Sequence, residues 1–319
     1  MSANSKPNEI AITRICDAPV EAVWEAWTDP AQVAQWWGPR GFTLTTHSKD
    51  LRPGGHWIYT MHGPDGTDYA NKTLYHEVEQ YAKLVYDHGG NDDRPPLFRV
   101  TVLFSEQDGR THTDMTMALS TPEEAAQTRE FIKKAGGNAT WDRLAEYLAK
   151  QSSGKEQFVI NHSFDAPIEL MFEMWTRPEH LAQWLPPTGF TMEFLQSKSD
   201  VEGSSFYFMT NGKGVEFYGR KRIMESRAPH RLVYMQQFCD KDENISRHPL
   251  APTWPETMLT TVQLISEGPN RTRVTIVWEA YGDVSREELE MFIQSRAGMT
   301  QGWTGSFDKL DSLLATVQV

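Results

Sequence analysis

Cysteine is almost missing from this chain: Cys16 and Cys239 are the only two among 319 residues. They fall at unrelated places with no histidine beside either, which argues against a structural disulfide and against a thiolate zinc site. Long apolar runs are missing too; none approaches the roughly 18 residues that a membrane-spanning helix requires. The opening stretch, Met1 to Pro7, is short and polar and carries no apolar signal segment, so a cytoplasmic protein is expected. Positive charge is in short supply: 31 Lys and Arg against 43 Asp and Glu leave a net charge of −12. A phosphate backbone is held by clustered basic side chains, so nucleic acid is not an expected partner. The one basic run, Arg220-Lys221-Arg222, reads as the solvated edge of a strand. There is no nucleophile elbow, phosphate-binding loop or dinucleotide fingerprint, and Gly63-Pro64-Asp65-Gly66 reads as a hairpin turn. No cofactor and no metal is implied.

What is present is a duplication. Asp17-Ala18-Pro19 returns as Asp165-Ala166-Pro167, Trp27-Thr28 as Trp175-Thr176, Gln35-Trp36 as Gln183-Trp184, and Gly41-Phe42-Thr43 as Gly189-Phe190-Thr191. Every pair is offset by 148 positions (165 less 17, 189 less 41). The shared offset predicts two equivalent domains, over residues 9–150 and 156–319. A polar, disordered tail over 1–8 and a small, polar linker over 151–155 complete the division. So short a linker predicts that the two domains touch. With 39% hydrophobic and 23% charged residues, each half can bury an ordinary core.

In the first half, residues 10–16 read as a strand, and Asp17 with Pro19 reads as a helix start. Val20, Val23, Trp24 and Trp27 share one helical face. Asp29-Pro30 starts a second short helix bearing Val33, Trp36 and Trp37, which Gly38-Pro39 ends. From Phe42 the period becomes two, and a run of antiparallel strands follows. Thr121-Pro122-Glu123-Glu124 then opens a closing helix that runs towards Lys150, with Gly136-Gly137 dividing it. The second half repeats this order, with an enlarged loop over 238–256 broken by Pro249, Pro252 and Pro255. Its closing helix carries Trp303, Phe307, Leu310 and Leu314. The order predicts an α+β fold: in each half, a curved antiparallel sheet around a long C-terminal helix, with two short helices.

The residues Asp17-Ala18-Pro19, the stretch from Val23 to Pro30, Trp36-Trp37-Gly38-Pro39, Arg52-Pro53-Gly54-Gly55 and Glu77 resemble the heat-shock-protein-90 ATPase activator-like family. In the second half the likeness rests on Asp165-Ala166-Pro167, Phe172, Trp175-Thr176, Pro178, Trp184, Glu225, Arg231-Leu232-Val233 and Gly302-Trp303. The family lies within the START-like (SRPBCC, Bet v 1-like) helix-grip superfamily. The resemblance implies that fold for both halves and, as in many proteins of the fold, a hydrophobic small molecule held between sheet and helix. It also implies a chaperone as a partner, although the additional domain of the chaperone-binding members has no counterpart here. The second half departs at Leu185-Pro186-Pro187, where the first has Trp37-Gly38-Pro39.

A sheet closed by one helix leaves a cavity where inward side chains do not fill it. Alternation predicts a first wall of Trp57, Tyr59, Met61, Phe98, Val100, Val102, Phe104, Met115 and Met117, with Trp36 and Trp37 at its mouth. The second wall is Ser205, Tyr207, Met209, Met258, Val262, Ile276 and Trp278, with Trp184 at its mouth. The same side chains could pack together as solid core. Glu77 and Glu225 match across the halves as polar anchors, as a general base, or as surface carboxylates paired with arginine. His47, His56, His62, His76 and His88 lack zinc-enzyme spacing and read as solvated strand histidines. Three functions fit: a binding protein for a lipid-like or aromatic molecule, an enzyme of cyclase or dehydratase type in the same cavity, and a module that binds a protein partner. Trp36-Trp37 and Gly54-Gly55 tip the expectation of an open cavity to the first half, and Ser205 in place of Trp57 pulls it towards the second.

Overall fold

A computed structural model describes residues 6–134, 139–198 and 201–317, the side chains of 131–134 excepted. Most of the expected tail, residues 1–5, and the Gly136-Gly137 break lie outside the described residues. The chain forms two compact units, Met1–Gly154 and Lys155–Val319.

The first unit begins with strand β1 (Glu9–Cys16), followed by helices α1 (Val20–Thr28) and α2 (Pro30–Trp36). Six strands come next: β2 (Thr43–Lys49), β3 (His56–His62), β4 (Asp68–Glu79), β5 (Lys83–Gly90), β6 (Phe98–Gln107) and β7 (Arg110–Ala118). They pair as an antiparallel meander, and β1 closes the far edge against β7, in the order β1-β7-β6-β5-β4-β3-β2. Helices α3 (Pro122–Lys134) and α4 (Ala139–Ser153) complete the unit. Residues 151–153, expected in a linker, therefore form the last turn of α4, and Gly154 follows with φ of +71°.

The second unit repeats the plan: β8 (Gln157–Phe164), α5 (Ile168–Thr176), α6 (Pro178–Trp184), β9 (Thr191–Gln196), β10 (Ser204–Thr210), β11 (Glu216–Arg227), β12 (Arg231–Cys239), β13 (Thr257–Gly268) and β14 (Arg271–Ala280). Its sheet runs β8-β14-β13-β12-β11-β10-β9, and α7 (Arg286–Gln294) and α8 (Arg296–Val317) close it. These are two helix-grip domains.

Local chemistry explains most boundaries. Asp29 caps α2 by accepting from the N–H groups of Ala31 and Gln32, with Pro30 at the first helical position. Asp17 does not cap α1, contrary to expectation: Pro19 occupies the cap position, too far along for Asp17 to serve. The free Val20 N–H is met instead by Glu106 Oε2, 2.8 Å away on β6. Ser285 and Glu288 form a reciprocal capping box at the start of α7.

Two bulges recur at equivalent places. One falls between Thr46 and Ser48 in β2 and again where Phe194 and Gln196 pair with β10. The other lies between Tyr75 and Glu77 in β4 and between Ile223 and Glu225 in β11. Each bulge bends its strand and re-aims the side chains beyond it.

The V of short helices is locked by tryptophan in both units. Trp36 donates its indole N–H to the Ala26 carbonyl at 2.9 Å, and Trp184 donates to Met174 at 3.0 Å. Trp27 stacks on Trp141 of α4, and Trp175 stacks on Trp303 of α8, with centroids 5.4 and 5.9 Å apart. Thr140-Trp141 thus does the packing of Gly302-Trp303. The core of each unit is drawn wholly from its own residues.

Candidate functional site

The second unit encloses the larger space, about 440 Å³, between its sheet and α8. A volume of 300–1,000 Å³ is usual for small-molecule sites. Strands β10 to β12 supply Tyr207, Met209, Phe217, Lys221, Tyr234, Gln236 and Phe238. The opposite side is Trp278 of β14 with Met299, Trp303 and Ser306 of α8. Leu185 and Pro187 after α6, and His248 and Leu250 of the enlarged loop, form the rim, where Leu250 is 71% exposed.

The polar groups in this cavity are few and mostly neutral. Burial pushes the Tyr207 phenol up to about 12 and Tyr234 further still. Burial holds His248 below its ordinary value, and His248 Nδ1 accepts the Leu250 N–H at 3.0 Å. Lys221 is the exception. It is 9% exposed, its Nζ lies 4.3 Å from the Tyr234 ring centroid, and desolvation lowers its pKa to about 8. The expectation that Arg220-Lys221-Arg222 forms a solvated edge fails at its middle member, because alternation sends Lys221 inward while its neighbours face out. Arg220 bonds Gln237 Oε1 at 2.8 Å, and Arg222 pairs with Glu202.

The register shows how the lysine fits. In the first unit Trp57 sits across from Thr73; at the equivalent pair in the second, Ser205 sits across from Lys221. The room expected from Ser205 is not left open. A crevice of only about 10 Å³ remains there, lined by Ser205, Ser197 and Lys221 among others.

Tyr207 also depends on its neighbour strand. Its ring crosses Gly219, where an added Cβ would stand 2.3 Å from the phenol carbon and oxygen. Ser306 Oγ donates to the Leu185 carbonyl at 3.0 Å, and Lys309 Nζ donates to the Pro186 carbonyl, so α8 is tied to the rim.

The first unit holds a cavity of about 240 Å³, below the usual range. Trp37, Met61, Phe98, Val100, Met115 and Met117 line it, joined by Ile12, Tyr86, His88 and Trp141. The tilt towards an open first half is thus reversed. His88 is not a solvated histidine: its Nδ1 is enclosed without a hydrogen-bond partner among the described residues, its ring stacks on Phe98, and desolvation lowers its pKa to about 4. Arg143 of α4 fastens the rim, donating to the Gly38 and Pro39 carbonyls at 2.9 Å each, beside the Arg40–Glu146 pair. His47, His62 and His76 hydrogen-bond Thr60, Asp68 and Asp87 on the outer surface.

Several predicted wall residues belong to solid core instead. Trp57 stacks on Tyr59 at 4.0 Å, and Phe104 packs against Trp24 and Trp27. Trp36 and Val102 are fully buried in the same cluster, as are Trp184, Met258, Val262 and Ile276 in the second unit. Alternation names the face a residue points to, not how far along the strand the helices cover it. Of the predicted second wall, Tyr207, Met209 and Trp278 reach the cavity.

Neither expected carboxylate reaches a cavity. Glu77 pairs with Lys83 at 2.5 Å, and Glu225 with Arg227 and Arg231 at 2.8 and 3.3 Å. The bulge before Glu77 hands the inward position to Val78, which packs against the core. Both carboxylates thus sit with basic partners, apart from the residues that line the two cavities. Among the described residues no group of acids, histidines and cysteines could hold a metal ion, and no helix is long and apolar enough to cross a membrane.

Two curved seven-stranded sheets, each gripping a terminal helix pair, define a tandem START-like protein. The chain belongs to the family described as activator of Hsp90 ATPase homolog 1-like protein, which it matches over residues 17–149 and again over 165–315. Comparison with curated proteins finds no significant match. Among solved structures, a Mycobacterium smegmatis protein is 27% identical and covers 46% of this chain and 93% of its own, with a TM-score of 0.42. An AHSA1-like protein from Aeromonas hydrophila is 26% identical over 46% of this chain and 94% of its own, with a TM-score of 0.37. A Nitrosomonas europaea protein is 21% identical over 47% of this chain and 99% of its own, with a TM-score of 0.43.

Proposed function

We propose that this protein binds a small, largely apolar molecule inside its second domain. The unfilled space of about 440 Å³, walled by tyrosine, phenylalanine, tryptophan, methionine and leucine, carries the reading. A ligand there gains roughly 25 cal/mol for each Å² of apolar surface taken from water. Two differences from the first domain support this assignment. Leu185 stands where the first domain has Trp37, and the enlarged loop adds His248 and Leu250 to the rim.

Fluorescence titration with the uncharged probe N-phenyl-1-naphthylamine tests it. Saturable binding to the intact protein is expected, and Leu185→Trp, which restores the bulk of the first domain's rim, is expected to weaken it by about ten-fold or more. Failure of the probe and of a panel of aliphatic and aromatic alcohols to bind at all would sink the proposal.

A further inference from the structure

We propose that the occupant of the second domain's cavity is an amphipathic anion, an apolar body bearing one carboxylate, and that Lys221 is its counter-ion. The inference rests on the binding function just proposed and adds the ligand's chemical class. Its basis is a cation without an anion. Among the described residues Lys221 has neither a hydrogen bond nor an ion pair, and the face of Tyr234 lies 4.3 Å from its ammonium. Its sequence neighbours Arg220 and Arg222 both have polar partners, so the middle member of the run alone is left without one.

The surroundings do not supply the missing charge. Across the strand is Ser205, whose hydroxyl faces that of Ser197 at 3.2 Å. The titratable groups that face the same space are Tyr207 from β10, Tyr234 from β12 and His248 from the loop. Burial raises the two phenols and lowers the imidazole, so it disfavours the charged form of all three. No aspartate or glutamate is among the lining residues, so the cavity carries a net positive charge whenever Lys221 is protonated.

A buried charge is costly unless it is paired, and a ligand carboxylate would provide the pair in a low-dielectric site. The first domain sharpens the contrast. Its equivalent position is Thr73, and Lys49, a desolvated lysine of that domain, sits on β2 with Nζ donating to the Trp27 carbonyl at 3.1 Å. Among the described residues, the second domain's larger cavity coincides with an inward ammonium that has no ion pair.

Isothermal titration of the full chain with decanoate and decanol, which differ in the headgroup alone, tests the assignment. The wild type is expected to prefer decanoate by about ten- to hundred-fold, the range of a buried charge-assisted contact. Lys221→Met is expected to bind both with the affinity the wild type shows for decanol, and Lys221→Arg to keep part of the preference. The arginine variant also guards against a folding defect, since it retains the charge. Equal binding of the two ligands by the wild type, or an undiminished preference in Lys221→Met, overturns the anchor and leaves the apolar binding reading standing. No binding of either ligand, together with a negative result from the neutral probe, overturns both.

Discussion

A largely desolvated ammonium with no carboxylate beside it works against the fold that contains it. Lys221 has a folded pKa of about 8 against the ordinary 10.5, so between those values the unfolded chain holds the proton more tightly. Stability should therefore rise as pH goes from 8 to 10.5, and the penalty should be in full force below 8. Lys221→Met is expected to stabilise the ligand-free protein at pH 7, by at most about 3 kcal/mol. Its stability should also lose most of the upward slope between pH 8 and 10.5. Urea unfolding at a series of pH values measures both. His88 works the same way in a lower window. Its pKa falls from 6.5 to about 4, so the unfolded chain takes up the proton first as pH drops. Stability is complete above 6.5 and declines towards 4, and His88→Gln, the residue type found at the equivalent Gln236, should flatten that decline. An acid limb unchanged in His88→Gln would show that other groups govern it.

The pairing of elements depends on a few close approaches. Gly219 leaves space for the Tyr207 ring, since a methyl group there would meet the ring at 2.3 Å. Gly219→Ala should displace that tyrosine and destabilise the second domain by about 1–3 kcal/mol, an overpacking cost. Gly219→Ala combined with Tyr207→Ala should recover less of the loss than the clash alone predicts, because the second change opens a hole; a double-mutant cycle by urea unfolding separates the two. In the first domain Asp29 satisfies two N–H groups of α2. Asp29→Ala is expected to cost about 1 kcal/mol, whereas Asp17→Ala, which removes no cap of α1, should cost less. The reverse ranking in the same denaturation assay would contradict the assigned cap.

Each unit of the molecule carries its own core, and neither buried cluster borrows a residue from the other. Residues 155–319 alone are therefore expected to fold cooperatively and to retain the ligand site. A neutral ligand at a hundred times its dissociation constant should raise the stability of that fragment by about 2.7 kcal/mol. Residues 1–154, with only about 240 Å³ of space, should show no comparable shift in calorimetry. A shift confined to the first fragment would put the site in the wrong domain.

The sequence by itself determined that there are two equivalent domains, because tryptophans, prolines and glycines at a constant offset report local geometry that the chain must repeat. It also determined the helix-grip order, since a change of hydrophobic period from 3.6 to two can be read along the chain. It did not determine which inward residues border empty space. Trp57 and Met61 alternate alike, yet the first lies in solid core and the second reaches a cavity. Nor could it reveal Lys221, hidden in a basic run that alternation splits between inside and outside, or the bulge that turns Glu77 away. Those outcomes were decided by tertiary structure, because empty space and an unpaired charge are set by how strands and helices from distant parts of the chain meet.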